Sequence, residues 1–112
     1  MFSVKRPLRF LIHKLELEEE QILVVADVLS DFKIEKDYAD VERRRAKKVL
    51  VSALKGDDFD HETAAEGVKQ QVDAVEKLHT AFVAGLERIH EVLDASQREK
   101  LAFLLGSLDL EV

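Results

Sequence analysis

Apolar residues recur along this chain every three or four positions, and no run alternates apolar with polar at every second residue. That period predicts α-helices throughout and no strand. Helix breakers are few: the only proline is Pro7, and the glycines are Gly56, Gly67, Gly85 and Gly106. Pro7 suits the first turn of a short helix at about 7–14, with Leu8, Leu11, Ile12 and Leu15 on its apolar face. A long helix follows at about 18–55, with Gly56 just past its end. The segment Gly-Asp-Asp-Phe-Asp at 56–60 is a turn. Asp60 is the N-cap of a third helix at about 61–93, and Glu62 favours its first turn. Asp94 caps a last helix at about 95–106. A short turn between the two long helices makes them antiparallel neighbours. The expected fold is all-α, one domain over residues 1–112: a long antiparallel helical hairpin with short flanking helices.

Val68, Val72, Val75, His79, Phe82, Leu86, Ile89 and Leu93 follow a spacing of alternating four and three. This is a heptad seam over more than three heptads, and it asks for partner helices packed nearly parallel or antiparallel. The second helix is less uniform. Ile22, Val25, Ala26, Leu29 and Phe32 form a stripe near its start, and Val49, Leu50, Ala53 and Leu54 form another near its end. Between them, residues 33–48 are mostly charged and offer only Ile34, Tyr38 and Val41 as a narrow apolar line. So polar a helix belongs on a solvated arm, steadied by pairs such as Asp40–Arg44. A two-helix hairpin has too few neighbours to cover all these stripes, so a dimer through the long helices is expected.

Composition sharpens this picture. The chain has 112 residues, 36% of them charged, with a formal net charge of −6. That charge argues against nucleic acid as a partner. There is no cysteine, so disulfides and thiolate metal sites are excluded. No apolar stretch approaches the ~20 residues of a transmembrane helix. Arg9, His13 and Lys14 interrupt any apolar run near the start, and no cleavage site follows, so no export signal is visible.

One short phrase occurs twice: Leu17-Glu-Glu-Glu-Gln21 and Leu93-Asp-Ala-Ser-Gln97. Each reads as a capped turn. Asp94 is a good N-cap, and Gln97 three residues on can return a hydrogen bond to the backbone N–H of the cap; Glu18 and Gln21 repeat the arrangement with a weaker cap. Two such phrases flanking a helical hairpin resemble the Spy/CpxP family, also known as LTxxQ-motif or heavy-metal-resistance proteins, with metal sensors of the ZraP and CnrX type among its members. The resemblance runs from about residue 15 to residue 106 and is carried by Leu17, Gln21, Leu93 and Gln97. Glu18 and Asp94 stand where the family has threonine. The resemblance implies a dimeric, cradle-shaped, bacterial stress-response protein. Its implied activity is ATP-independent chaperone or adaptor work on unfolded or misfolded proteins. It also implies a periplasmic location; the cytoplasm is the expectation if the chain is complete as numbered.

Candidate chemistry is sparse. There is no nucleophile elbow and no phosphate-binding glycine loop, so an enzyme is not expected and no cofactor is required. Arg43, Arg44 and Arg45 lie in a basic cluster beside Ile34, Tyr38 and Val41, a pairing suited to weak, promiscuous holding of client chains. Glu76 with His79, and Glu87 with His90, place a carboxylate and an imidazole at i, i+3, a donor set that suits zinc, copper or nickel. The sensor branch of the family uses a His-x3-His pair and a methionine; here the first is absent and Met1 is the only methionine. The expected function is client holding, with a transition-metal sensor or resistance protein, or a helical adaptor for one partner, as alternatives.

Overall fold

The computed structural model describes residues 4–108. Four helices follow in order: α1 (Lys5–Leu15), α2 (Glu19–Lys55), α3 (His61–Val92) and α4 (Ala95–Gly106). There is no strand among the described residues. α1 begins two residues before Pro7. Proline is tolerated there because the N–H groups of the first turn have no intrahelical partner to lose.

α2 and α3 form the expected antiparallel hairpin and supply most of the tertiary contact. α1 and α4 pack against its lower end and against each other. The molecule is therefore a rod, 60 × 21 × 20 Å, with a radius of gyration of 18.3 Å. A compact chain of this length would have roughly 13 Å. A four-helix base carries a bare two-helix arm.

The seam between α2 and α3 is not the line of valines. α3 buries Ala64, Gly67, Ala74, Leu78, Gly85 and Ile89, a stripe one position away from the heptad of large side chains. Small residues win because they let the helices approach closely. A Cβ added at Gly85 would lie 2.6 Å from Cγ1 of Val28, and one at Gly67 would lie 3.3 Å from Val49. From α2 the seam receives Val25, Val28, Ala39, Glu42 and Ala46. Of the predicted heptad, Ile89 and Leu93 are buried, Val75, His79, Phe82 and Leu86 are half-buried, and Val68 and Val72 are exposed. Phe82 meets Phe32 of α2 with ring centroids 5.7 Å apart.

In the base, Leu15, Leu17, Val25, Val28, Ile89 and Leu93 form the core, and Leu15 and Val25 are its fully buried side chains. The α1–α2 corner turns on Glu16, whose φ of 51° is left-handed. Glycine or asparagine is the usual residue at such a position.

The repeated phrase has its explanation here. Gln21 and Gln97 face one another, 76 residues apart in sequence. Gln21 Nε2 donates to Gln97 Oε1 at 2.8 Å, and Gln97 Nε2 donates back to Gln21 Oε1 at 3.0 Å. The remaining amide hydrogens go to the carbonyl oxygens of Val92, from Gln21, and of Leu15, from Gln97. The remaining lone pairs accept from the backbone N–H of Glu18, at Gln21, and of Asp94, at Gln97. A side-chain amide has two donors and two acceptor sites, and both amides are saturated. Each phrase closes a capping box on its own helix, and together they tie the α1–α2 corner to the α3–α4 corner.

Candidate functional site

The arm has two flanks, and helical periodicity assigns residues to them. At about 100° per residue, Ile34, Tyr38, Val41 and Arg45 share one side of α2. They are exposed, Ile34 to 65% and Tyr38 to 45%. Lys77 of α3 lies over the Tyr38 ring, 5.6 Å from its centroid. On the same flank lower down, Arg88 donates to Asp27 at 2.6 Å and to Asp31 at 3.4 Å. These carboxylates hold the guanidinium of Arg88 above its ordinary pKa, the hydrogen bond to Asp27 most strongly. Between the helices here runs a shallow groove of about 850 Å³ lined by Glu35, Tyr38, Asp73, Lys77, Thr80 and Ala84. A second hollow, about 720 Å³ and bordered by Arg45, Val49 and Glu66, continues it toward the tip and shares Gln70 with it.

The basic cluster does not act as one patch. Arg45 borders the second hollow and pairs with Glu42 at 3.2 Å. Arg43 projects to nearly the opposite side of α2, toward Asp40 at 3.9 Å. Arg44 lies on the back of the helix, away from α3. The expected Asp40–Arg44 pair is replaced by Lys36–Asp40 at 3.0 Å. Asp40 sits below its ordinary pKa, chiefly through the Lys36 hydrogen bond; Arg43 and Arg44 add attraction through space. The groove on the Tyr38 flank is thus mixed in charge, with Lys77 beside Glu35, Asp73 and Glu76, and Arg45 borders the hollow that continues it. Glu42 is a residue that sequence reasoning placed on a solvated face. It is buried on the same face of α2 as Ala39 and Ala46.

The opposite flank carries the displaced heptad: Val68, Val72, Val75, His79, Phe82 and Leu86. Val72 is 55% exposed. At its lower end this stripe runs into an apolar cavity of about 360 Å³, walled by all four helices, with Phe10, Leu11, Phe32, Phe82, Leu101 and Leu104 among its lining. Among the described residues Ser107 supplies the one polar side chain of that lining. Among the described residues its lining holds no titratable group, so the wall they form favours apolar matter.

Of the metal candidates, Glu76, Glu87 and His90 are exposed and His79 is half-buried on α3. Nε2 of His79 is buried without a hydrogen-bond partner among the described residues. No group of three His, Cys, Asp or Glu that could hold an ion forms among the described residues. Met1 lies outside them. Among the described residues no helix is long and apolar enough to cross a membrane.

No family model matches this chain, and no curated protein or solved structure does either.

Proposed function

We propose that the protein holds unfolded or misfolded chains without nucleotide, as a dimer, in the manner the Spy/CpxP resemblance implies. The observation that carries this reading is that the arm leaves two apolar stripes uncovered on opposite flanks. They differ in kind. The Val68–Leu86 stripe keeps a heptad period over several turns and is the one suited to a second copy of the same helix. The Ile34–Tyr38–Val41 line is short, interleaved with Arg45 and Lys77, and borders a shallow groove of mixed charge. Such a surface offers many weak contacts and no shape that selects one ligand.

The two roles separate by mutation. Val72→Glu with Val75→Glu places charges in the self-pairing stripe and is expected to give monomers in sedimentation equilibrium, where the parent chain is a dimer. Ile34→Glu with Val41→Glu leaves the dimer intact and removes suppression of aggregation of an unfolding test protein. A parent chain that sediments as a monomer at every concentration defeats the dimer. Full suppression by the Ile34/Val41 variant defeats the client surface.

A further inference from the structure

Charge is unevenly placed in this chain. The whole carries a net −6, yet α1 holds Lys5, Arg6, Arg9, His13 and Lys14 and no carboxylate from Lys5 to Leu15. Its inner face, Leu8, Leu11, Ile12 and Leu15, packs into the base. Its outer face presents Arg6, Arg9, Phe10, His13 and Lys14, all exposed.

α2 shows what a merely solvated basic face looks like here. Its Lys33 and Lys36 meet Asp37 and Asp40 one turn on. In α1 no cation forms an ion pair among the described residues, and Lys14 instead stands over the ring of Phe10, 5.9 Å from the centroid. Phe10 is 49% exposed. Next to it, Lys14 shares a shallow hollow with Lys100, Phe103 and one carboxylate, Glu99, of α4. Phe103 is 76% exposed. Phe103 thus projects from this end of the rod, and Phe10, which also borders the cavity of the base, is half-exposed beneath Lys14.

A basic amphipathic helix with a projecting aromatic residue is the arrangement that lies on anionic lipid: cations meet the headgroups and the rings enter the boundary with the acyl chains. A convex helix with cations along its whole length suits a fluid surface, which needs no shape complementarity. We propose that the outer face of α1, with Lys100 and Phe103 of α4, docks on an anionic phospholipid bilayer. The four-helix base is then the attached end and the arm extends from it. Attachment of this kind, through cations and projecting rings, is peripheral and reversible.

The test is cosedimentation of the full chain with vesicles of phosphatidylcholine mixed with phosphatidylglycerol, against vesicles of phosphatidylcholine alone. Binding is expected only to the anionic vesicles, and it weakens as salt is raised. Each cation at such a surface is worth roughly a fivefold change in partitioning, so Arg6→Glu with Arg9→Glu lowers binding by at least about 25-fold. Both side chains are exposed, and circular dichroism confirms that the variant keeps its helices. Phe103→Ser weakens binding while leaving its salt dependence unchanged. The comparison variant is Arg43→Glu with Arg44→Glu on the arm, which is expected to bind like the parent. No binding to anionic vesicles, equal binding to neutral ones, or an equal loss in the arm variant overturns the proposal.

Discussion

The base and the arm of this rod are built from the same two helices, yet they are held together differently. In the base, α1 and α4 cover the hairpin, Leu15 and Val25 are removed from solvent entirely, and two saturated glutamines lock both corners. In the arm, α2 and α3 have only each other. Their seam is made of alanines, a glycine, Leu78 and Glu42, and large apolar side chains lie on the flanks instead. A two-helix arm can bury one narrow stripe per helix. Giving that stripe to small residues brings the backbones close and leaves the larger ones on the flanks. The base supplies stability; the arm supplies surface.

Truncation measures the difference most directly. Leu15→Ala should destabilise the fold by roughly 3–5 kcal/mol, because the base closes around the cavity on every side. Leu78→Ala in the arm should lose about 2 kcal/mol, since two helices with no third neighbour can close around the gap. Urea denaturation gives both values, and equal losses would erase the distinction.

The glutamine clasp comes next. Gln97→Ala strands the N–H of Asp94, the carbonyl of Leu15 and half of Gln21, for a loss of about 3 kcal/mol. Gln21→Ala should lose about 2 kcal/mol, its site being less buried. The double variant should fall well short of their sum, as residues in one network do. Additive losses in a double-mutant cycle would mean that the two phrases act only as separate caps.

The two seam glycines give a finer contrast. Gly85→Ala brings a methyl group against Val28 in the clamped base, and should cost about 1–2 kcal/mol despite the better helix propensity of alanine. Val28→Ala should relieve most of it. Gly67→Ala meets Val49 at a milder distance in the free arm, and its gain in helix propensity should leave stability within about 0.5 kcal/mol of the parent.

The smallest effect lies at the tip. Asp60 accepts hydrogen bonds from the N–H and hydroxyl of Thr63, and these, the hydroxyl first, hold its pKa below the ordinary 3.8. A depressed folded value means that this cap stabilises fully above 3.8 and loses its contribution as pH falls through the folded value. Asp60→Asn keeps a cap that does not titrate. The stabilities of parent and variant should therefore converge in acid and differ by a constant at neutral pH.

Much of the architecture is legible in the sequence, for identifiable reasons. Pro7, Gly56, Asp60 and Asp94 mark boundaries because each answers a local backbone requirement, and the turn at 56–60 is too short for anything but an antiparallel return. The seam is not legible by counting large apolar residues, because that count scores Val68 and Val72 and passes over Ala64, Gly67, Ala74 and Gly85. Close approach of backbones is set by what is missing from a side chain. The clasp was visible only as a repetition; nothing in helical periodicity says that positions 21 and 97 meet. The basic cluster misleads in the opposite way. Arg43, Arg44 and Arg45 are neighbours in sequence, and successive residues of a helix point in different directions, so Arg45 alone shares the side of α2 that carries Tyr38.

The most direct test of the holding account is light scattering from an unfolding test protein, with this chain added at rising molar ratio and no nucleotide. The account predicts suppression by the parent and by Arg43→Glu, whose side chain faces away from the groove. It predicts loss of suppression in Ile34→Glu with Val41→Glu. No suppression at several-fold excess, or an Ile34/Val41 variant as effective as the parent, contradicts it.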